Sequence, residues 1–327
     1  MKVLVIGATG FVGKAIVAEL RNRLIDVVAV GGPRSSLLNS EAYDIQIDDC
    51  IDVTVPENFL RLEMIEGVTA VVHCAGLAHQ FGKMTESDLF RVNVNGTENV
   101  AKLAVKLKAR HFILISSVLV YGPQGAENDD VLPVTENSPC QPNDPYARSK
   151  LAAENVAAEI CGNGGIPLTI LRPAPIIGEG SKGNFLRLIK LIAQRRFLWL
   201  GKGHNRKSLV VVGDVANACG AILEQNRAET AIYNVSGPAM EMREIVNEIS
   251  KELSRSPPSI FIPAIPVIAI LRLIPGGRAS SLKGTVEKWL STDTYSGEKL
   301  RLRYGFSASS DLAEAIRREV DCYKKTK

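Results

Sequence analysis

Short, mainly apolar runs recur at 3–6, 27–30, 45–47, 70–72, 112–115 and 168–171, and longer stretches between them repeat apolar positions at helical spacing. Brief aliphatic runs are the mark of strands covered on both faces, whereas spacings of three and four belong to helices with one buried side. Val92, Val100, Leu103 and Leu107 recur in this way across 89–107, and 146–160 carries a second such stretch. Strand and helix in alternation predict an α/β fold, a doubly wound parallel sheet with helices on both faces.

After 173 the pattern changes. Residues 178–183 read as a loop, 184–196 as a helix and 209–212 as a strand. From 238 come helices, a Pro-rich connector at 257–266 and an amphipathic helix at 312–323. This predicts a smaller, mostly C-terminal α/β substrate domain formed by 173–204 and about 237–327. The larger domain takes 1–172 and about 205–236. Residues 123–145, rich in Pro, Asn and Asp, read as a long loop over the active site, the usual place for functional loops.

The first helix follows a turn with a chemical signature. Lys2 to Ile6 leads straight into Gly7-Ala8-Thr9-Gly10-Phe11-Val12-Gly13. Strand, glycine turn, helix is the arrangement that holds a dinucleotide: one glycine for the turn, one for backbone approach to pyrophosphate, one for close packing. The helix N-terminus adds N–H groups and a positive dipole end. The larger domain is therefore expected to be a Rossmann domain.

A second signature is Tyr146-x-x-x-Lys150, which on a helix places phenol and ammonium one turn apart on one face. The cation is expected to lower the tyrosine pKa and make its hydroxyl a proton carrier near neutral pH. Ser116-Ser117 ends the run 111–115, where the carboxyl end of a parallel strand opens onto the ligand crevice.

Together these elements resemble the extended short-chain dehydrogenase/reductase superfamily, and within it bacterial UDP-sugar 4-ketoreductases and 4-epimerases of O-antigen and polysaccharide biosynthesis. Further matches are His73-Cys74-Ala75-Gly76, Asn93-Val94-Asn95-Gly96-Thr97, Ser116-Ser117-Val118-Leu119-Val120-Tyr121-Gly122 and Leu171-Arg172-Pro173. The resemblance implies Tyr146 as acid/base, Lys150 as its tuner and a ribose contact, and Ser117 as partner of the sugar oxygen. It implies cofactor contacts at Gly7, Thr9, Gly10, Phe11, Val12, Gly13, Asp49, Ala75, Gly76, Asn93, Ser116, Tyr146 and Lys150. Substrate contacts are implied at Leu77, Ser117, Asn184, Phe185 and Arg206, with Lys207 assisting at the diphosphate and His79 in the sugar pocket.

The second strand ends Val30-Gly31-Gly32-Pro33-Arg34-Ser35 without the carboxylate that normally bonds the adenosine ribose of NAD. Arg34 and Ser35 suit a 2′-phosphate, so NADP(H) is expected over NAD(H). Val118 and Leu119 stand where sugar 4,6-dehydratases of this branch carry Asp-Glu, which argues against dehydration. The expected activity is NADP(H)-dependent 4-keto reduction of a UDP-linked 4-keto-6-deoxy-N-acetylhexosamine, as in UDP-N-acetylquinovosamine formation. The alternative is an NAD-dependent UDP-hexose or UDP-N-acetylhexosamine 4-epimerase.

Composition narrows the partners. Net charge is +4 with 23% charged residues, and the cations are scattered, which argues against nucleic acid. The six cysteines lack C-x-x-C pairing and the four histidines lack ligand spacing, so reduced thiols, no metal and a cytoplasmic location are expected. The stretch 260–274 is the most lipid-like, yet Pro263, Pro266 and Arg272 interrupt it, so it reads as a docking helix and not a transmembrane segment. A homodimer through 89–107 and 146–160 is implied by the resemblance.

Overall fold

The computed structural model describes residues 1–33, 48–77, 84–123, 132–181, 183–225, 227–263, 266–267, 290–308 and 311–326. The first half runs β1 (Lys2–Ile6), α1 (Phe11–Asn22), β2 (Asp26–Gly31), β3 (Asp49–Cys50), β4 (Val68–His73), α2 (Glu86–Phe90), α3 (Gly96–Lys106), β5 (His111–Ile115), α4 (Pro145–Asn163) and β6 (Leu168–Pro173). The second adds β7 (Ile176–Ile177), α5 (Asn184–Ala193), β8 (Trp199–Leu200), β9 (Arg206–Ser208), β10 (Val210–Val211), α6 (Val212–Glu224) and β11 (Ala231–Val235). It closes with β12 (Ala239–Glu241), α7 (Met242–Glu252), β13 (Phe261–Ile262), α8 (Glu298–Tyr304) and α9 (Leu312–Lys325).

Seven parallel strands form the main sheet in the order β11-β6-β5-β4-β1-β2-β3. The connections run outward in opposite directions from β1 and β4, so the crevice opens at the carboxyl ends of those two strands. Alternation along β1 divides the core: Val3 and Val5 join Ile16, Leu20 and Ile222 on one face, while Leu4 and Ile6 join Val100, Leu103 and Ala157 on the other. A third apolar cluster holds α5, α7 and α9 together through Leu188, Ile189, Ile245, Ile249, Ile316 and Val320, with Phe197 and Trp199 at its edge.

Several boundaries differ from the sequence reading for local reasons. The stretch 89–107 is not one α-helix, because a π-helical turn, Arg91–Asn95, lies between α2 and α3. That extra residue per turn aims Asn93 inward, and such turns are frequent at functional sites. The helix expected through 196 ends at Ala193, since Arg195 takes a left-handed φ of 58°. The strand expected at 209–212 stops at Val211, where α6 begins. The Pro-rich connector contains β13, which pairs with β8. The strand expected at 45–47, the core of the loop at 124–131 and most of the docking helix lie outside the described residues.

Candidate active site

The glycine turn is built by crowding. Gly7 has a φ of +93°, and a Cβ there would lie 2.4 Å from the Ala75 nitrogen at the end of β4. A Cβ on Gly13 would lie 2.1 Å from the Gly7 carbonyl oxygen. Both positions therefore admit only hydrogen. Gly10 is different: a Cβ there would meet only the Gly7 oxygen, at 3.2 Å, so internal packing demands its glycine less.

Gly10 also caps α1 without a side-chain hydrogen bond, and no acidic residue sits in the first turn. The N–H groups of Phe11, Val12 and Gly13 precede the first intrahelical bond, from Lys14 N–H to the Gly10 carbonyl. Donors at a dipole's positive end, with no carboxylate beside them, fit a dinucleotide's pyrophosphate. Thr9 Oγ1 accepts from Gly32 N–H at 3.4 Å and ties this turn to the end of β2.

Across the crevice, α4 presents Tyr146 and Lys150. Asp144 caps the helix by accepting from Ala147 N–H at 2.9 Å, and Pro145 opens its first turn, so the start of α4 is locally encoded. Ser117 lies just past β5, near enough to the Tyr146 phenol to favour its ionised form. Lys150 Nζ donates to the Ile115 carbonyl at 2.7 Å. Burial dominates both ionisable groups. It pushes the phenol up to about 12, against the polar influence of Ser117. It pulls the ammonium down to about 8, against the neighbouring Glu154 charge.

The expectation of a lowered tyrosine pKa is therefore reversed in this structure. The Lys150 ammonium is engaged at the strand end, and desolvation of the phenolate outweighs any attraction to it. Ser117 and Lys150 nonetheless meet the carboxyl end of β5 together, and Tyr146 lies one turn before Lys150 on α4.

Beneath the triad is a framework the sequence reading missed. Glu154 is 3% exposed and accepts from Arg172 Nε at 3.0 Å, from an Arg172 terminal nitrogen at 2.5 Å and from the Ser116 hydroxyl. It ties α4 to the ends of β5 and β6. The Arg172 guanidinium also lies 4.8 Å over the Tyr121 ring, and Tyr121 donates to Asn234 at 2.8 Å. The one local signal was position, because Glu154 is one turn beyond Lys150.

Asn93 performs a similar task at the other wall. Its Oδ1 accepts from Leu77 N–H at 2.7 Å, and its amide donates to the Leu77 carbonyl at 3.2 Å and to Ser149 Oγ at 2.9 Å. Ser149 in turn donates to the Tyr146 carbonyl at 2.8 Å. The segment containing Ala75, Gly76 and Leu77 is thereby fastened to α4. A Cβ on Gly76 would lie 3.0 Å from Asn93 Oδ1 and 3.9 Å from Lys150 Nζ, which places this backbone beside the triad.

The remaining sites are dispersed. Asp49 begins β3 and pairs with Arg61 at 2.8 Å. Asn184 and Phe185 open α5, the first of them directly after the Gly183 cap. Arg206 on β9 is exposed and donates to the Ala239 carbonyl at 2.9 Å. Lys207 is bound to Asp293 at 2.5 Å and to Ser291 at 3.0 Å, so its charge is balanced within the chain. Arg34, Ser35 and His79 lie outside the described residues. A surface pocket lined by Met1, Thr69, Arg110 and Glu224 lies at the opposite ends of β4 and β5. Among the described residues there is no cluster of metal-ligating side chains and no helix long and apolar enough to cross a membrane.

Comparison with known proteins agrees with this architecture. Residues 3–236 match the model of the NAD dependent epimerase/dehydratase family. The chain belongs to this family. It is an enzyme of the extended short-chain dehydrogenase/reductase group. It is 30% identical over 332 residues, 97% of this chain and 94% of the relative, to an N-acetyl-alpha-D-glucosaminyl-diphospho-ditrans,octacis-undecaprenol 4-epimerase of Escherichia coli O157:H7. It is 27% identical over 261 residues, 77% of this chain and 76% of the relative, to a UDP-glucose 4-epimerase of Vibrio cholerae. In fold it is similar to a UDP-glucuronic acid 4-epimerase from Bacillus cereus in complex with NAD, with a TM-score of 0.75, 20% identity and coverage of 100% and 99% of the two chains.

Proposed function

We propose that the protein is a 4-epimerase of a diphosphate-linked hexose or N-acetylhexosamine, in preference to the 4-ketoreductase expected first. The observation carrying this reading is the likeness to a 4-epimerase across 97% of the chain, including the lobe built on α5, α7 and α9 as well as the glycine turn. Residues 1–172 with about 205–236 bind dinucleotide in this reading, and 173–204 with about 237–327 hold the sugar.

Gly7, Thr9, Gly10, Phe11, Val12 and Gly13 receive the pyrophosphate, and Asp49 lies at the adenine end. Ala75, Gly76 and Lys150 flank the nicotinamide ribose. A bound nicotinamide supplies the acceptor and donor of hydride at the sugar carbon. Ser117 orients the sugar C4 oxygen toward Tyr146, which takes the hydroxyl proton in the oxidation half and returns a proton to the keto oxygen in the reduction half. Lys150, one turn along, supplies the positive charge that supports phenolate while the proton is away. Leu77, Asn184, Phe185 and Arg206 position the sugar and its diphosphate, the guanidinium being suited to phosphate oxygens. Val118 and Leu119, next to Ser117, carry no proton, so the chemistry stays at one carbon.

The test is product analysis with NAD(H) and with NADP(H) on two substrates, UDP-N-acetylglucosamine and N-acetylglucosaminyl-diphospho-undecaprenol. The C4 epimer without net cofactor consumption is the expected result. Stoichiometric NADPH loss on a UDP-linked 4-keto-6-deoxy-N-acetylhexosamine, with no epimer formed, would return the reading to ketoreductase. The pairing of two copies through 89–107 and 146–160 belongs to the same proposal, and light scattering of the purified chain reads it.

A further inference from the structure

The ribbon formed by β8 and β13 has a surface unlike the rest of the second lobe. Leu198, Ile260 and Phe261 are 43%, 61% and 50% exposed. Trp199 N–H donates to the Ile260 carbonyl at 2.9 Å and Trp199 stands opposite Phe261 in register, so Leu198 and Ile260 are neighbours on the face opposite Trp199 and Phe261. The Phe261 ring stacks on the buried Trp199 indole at 5.9 Å with planes 10° apart, so this exposed aromatic has a rigid seat. Single exposed apolar side chains need no explanation, but a cluster held on a rigid ribbon does.

Along β8 the charge has one sign, and the carboxylates Glu241 and Glu244 at the start of α7 are held in its capping box. Residues 195–202 contain Arg195, Arg196 and Lys202 and no carboxylate, and both arginines and the lysine are exposed. The Arg243 guanidinium lies 5.8 Å over the Phe261 ring and donates to the Lys202 carbonyl at 2.8 Å. The sequence that enters and leaves β13 continues the pattern. From 253 to 286 it contains no Asp or Glu, while Arg255, Arg272, Arg278 and Lys283 are cationic and 264–274 is apolar apart from Arg272.

Aliphatic side chains projecting from a ribbon, with exposed cations beside them, are complementary to an anionic bilayer surface. The apolar groups enter the acyl boundary while the cations meet lipid phosphates. A protein partner with an acidic groove would satisfy the cations, yet it gives no reason for a following stretch that is both apolar and free of acid over so many residues. We infer that the β8–β13 ribbon docks the protein on anionic membranes, through Leu198 and Ile260 with Arg195, Arg196 and Lys202 at the rim and Phe261 fixing the ribbon beneath them.

The inference goes beyond the epimerase reading, and its test needs no sugar substrate. The purified full chain is floated with vesicles of phosphatidylglycerol and phosphatidylethanolamine, and in parallel with neutral phosphatidylcholine vesicles. Association with the anionic vesicles, weakened by raising ionic strength to about 0.5 M, is the expected result. Ile260→Asp with Leu198→Asp should lower the bound fraction about tenfold or more. Arg195→Glu with Arg196→Glu, on exposed side chains where folding is not at stake, should remove the salt-sensitive part.

Thermal melting controls for the fold of each variant. Failure of the wild-type chain to float, or flotation of both variants like the wild type, would overturn the inference. So would a wild-type oligomer that the ribbon variants turn into a monomer, since that would make this face a contact between copies.

Discussion

Two regions of this molecule invert the usual partition of residues, in opposite directions. Below the crevice, Lys150, Glu154 and Arg172 are buried at 8%, 3% and 3% exposure, so charge lies inside. At the β8–β13 ribbon, Ile260 and Phe261 are more than half or half exposed, so apolar surface lies outside. Each inversion has a free-energy cost, and the structure treats them differently. The crevice offsets burial with partners for each charge: Glu154 for Arg172 and Ser116, and the Ile115 carbonyl for Lys150. The ribbon leaves apolar atoms of Leu198 and Ile260 uncovered, with the exposed cations Arg195, Arg196 and Lys202 close by in the chain. Internal compensation reads as machinery held in place, and its absence reads as a surface awaiting another phase.

The sharpest way to break the comparison is to remove the group that the buried charges serve. Tyr146→Phe should lower kcat by roughly 10²–10⁴-fold while the dissociation constant for NAD, measured by titration, changes less than about threefold. Retained turnover would detach the crevice from catalysis.

Next is the framework. Glu154→Ala leaves the Arg172 guanidinium buried without its carboxylate and should cost about 3–5 kcal/mol in urea denaturation. Glu154→Gln should cost less, because the amide oxygen still accepts a hydrogen bond. Equal losses in the two variants would mean that the carboxylate charge, and not the acceptor that glutamine keeps, is what holds Arg172.

Lys150→Met should do the reverse. The buried ammonium, with its pKa pulled down to about 8, is held against desolvation, so replacing it should raise stability at pH 7 by about 1–3 kcal/mol while activity falls. The sign follows from proton uptake: between about 8 and 10.5 the unfolded lysine binds more protons than the folded one, so wild-type stability climbs with pH. The variant's advantage should therefore shrink across that window and vanish above it. An advantage that persists at pH 11 would exclude this origin.

The effect confined to acid pH concerns two buried histidines outside the triad. His73 Nε2 meets Thr97 Oγ1 at 3.0 Å and His111 Nε2 meets Thr169 Oγ1 at 2.8 Å. Each threonine donates its own proton to a backbone carbonyl, so each accepts from an Nε2–H. Burial lowers their pKa values to about 3 and about 4. Unfolded histidines bind protons below about 6.5, so stability should fall with pH beneath that value, by up to about 1.4 kcal/mol per pH unit for each. Urea midpoints that stay flat between pH 6 and pH 5 would contradict it.

Much of the crevice was legible because its signals are local. A strand, three glycines and a helix within the first turns, and a Tyr and Lys four positions apart behind an Asp-Pro cap, are set by neighbours along the chain. What escaped lies at long separations. Ser116 and Glu154 are 38 residues apart and Asn93 and Ser149 are 56 apart, and no periodicity announces such meetings. The tyrosine pKa was misjudged for the same reason, since spacing reveals the cation but not the burial that opposes it.

By itself the sequence determined the alternating elements, the glycine turn and the spacing that puts Tyr146 and Lys150 one turn apart on α4, because backbone sterics and helical periodicity act between near neighbours. Only the tertiary structure decided which charges are buried, what compensates them and which apolar side chains face outward. Burial is a property of the packed chain, and the electrostatic cost of a charge depends on everything that displaces water around it.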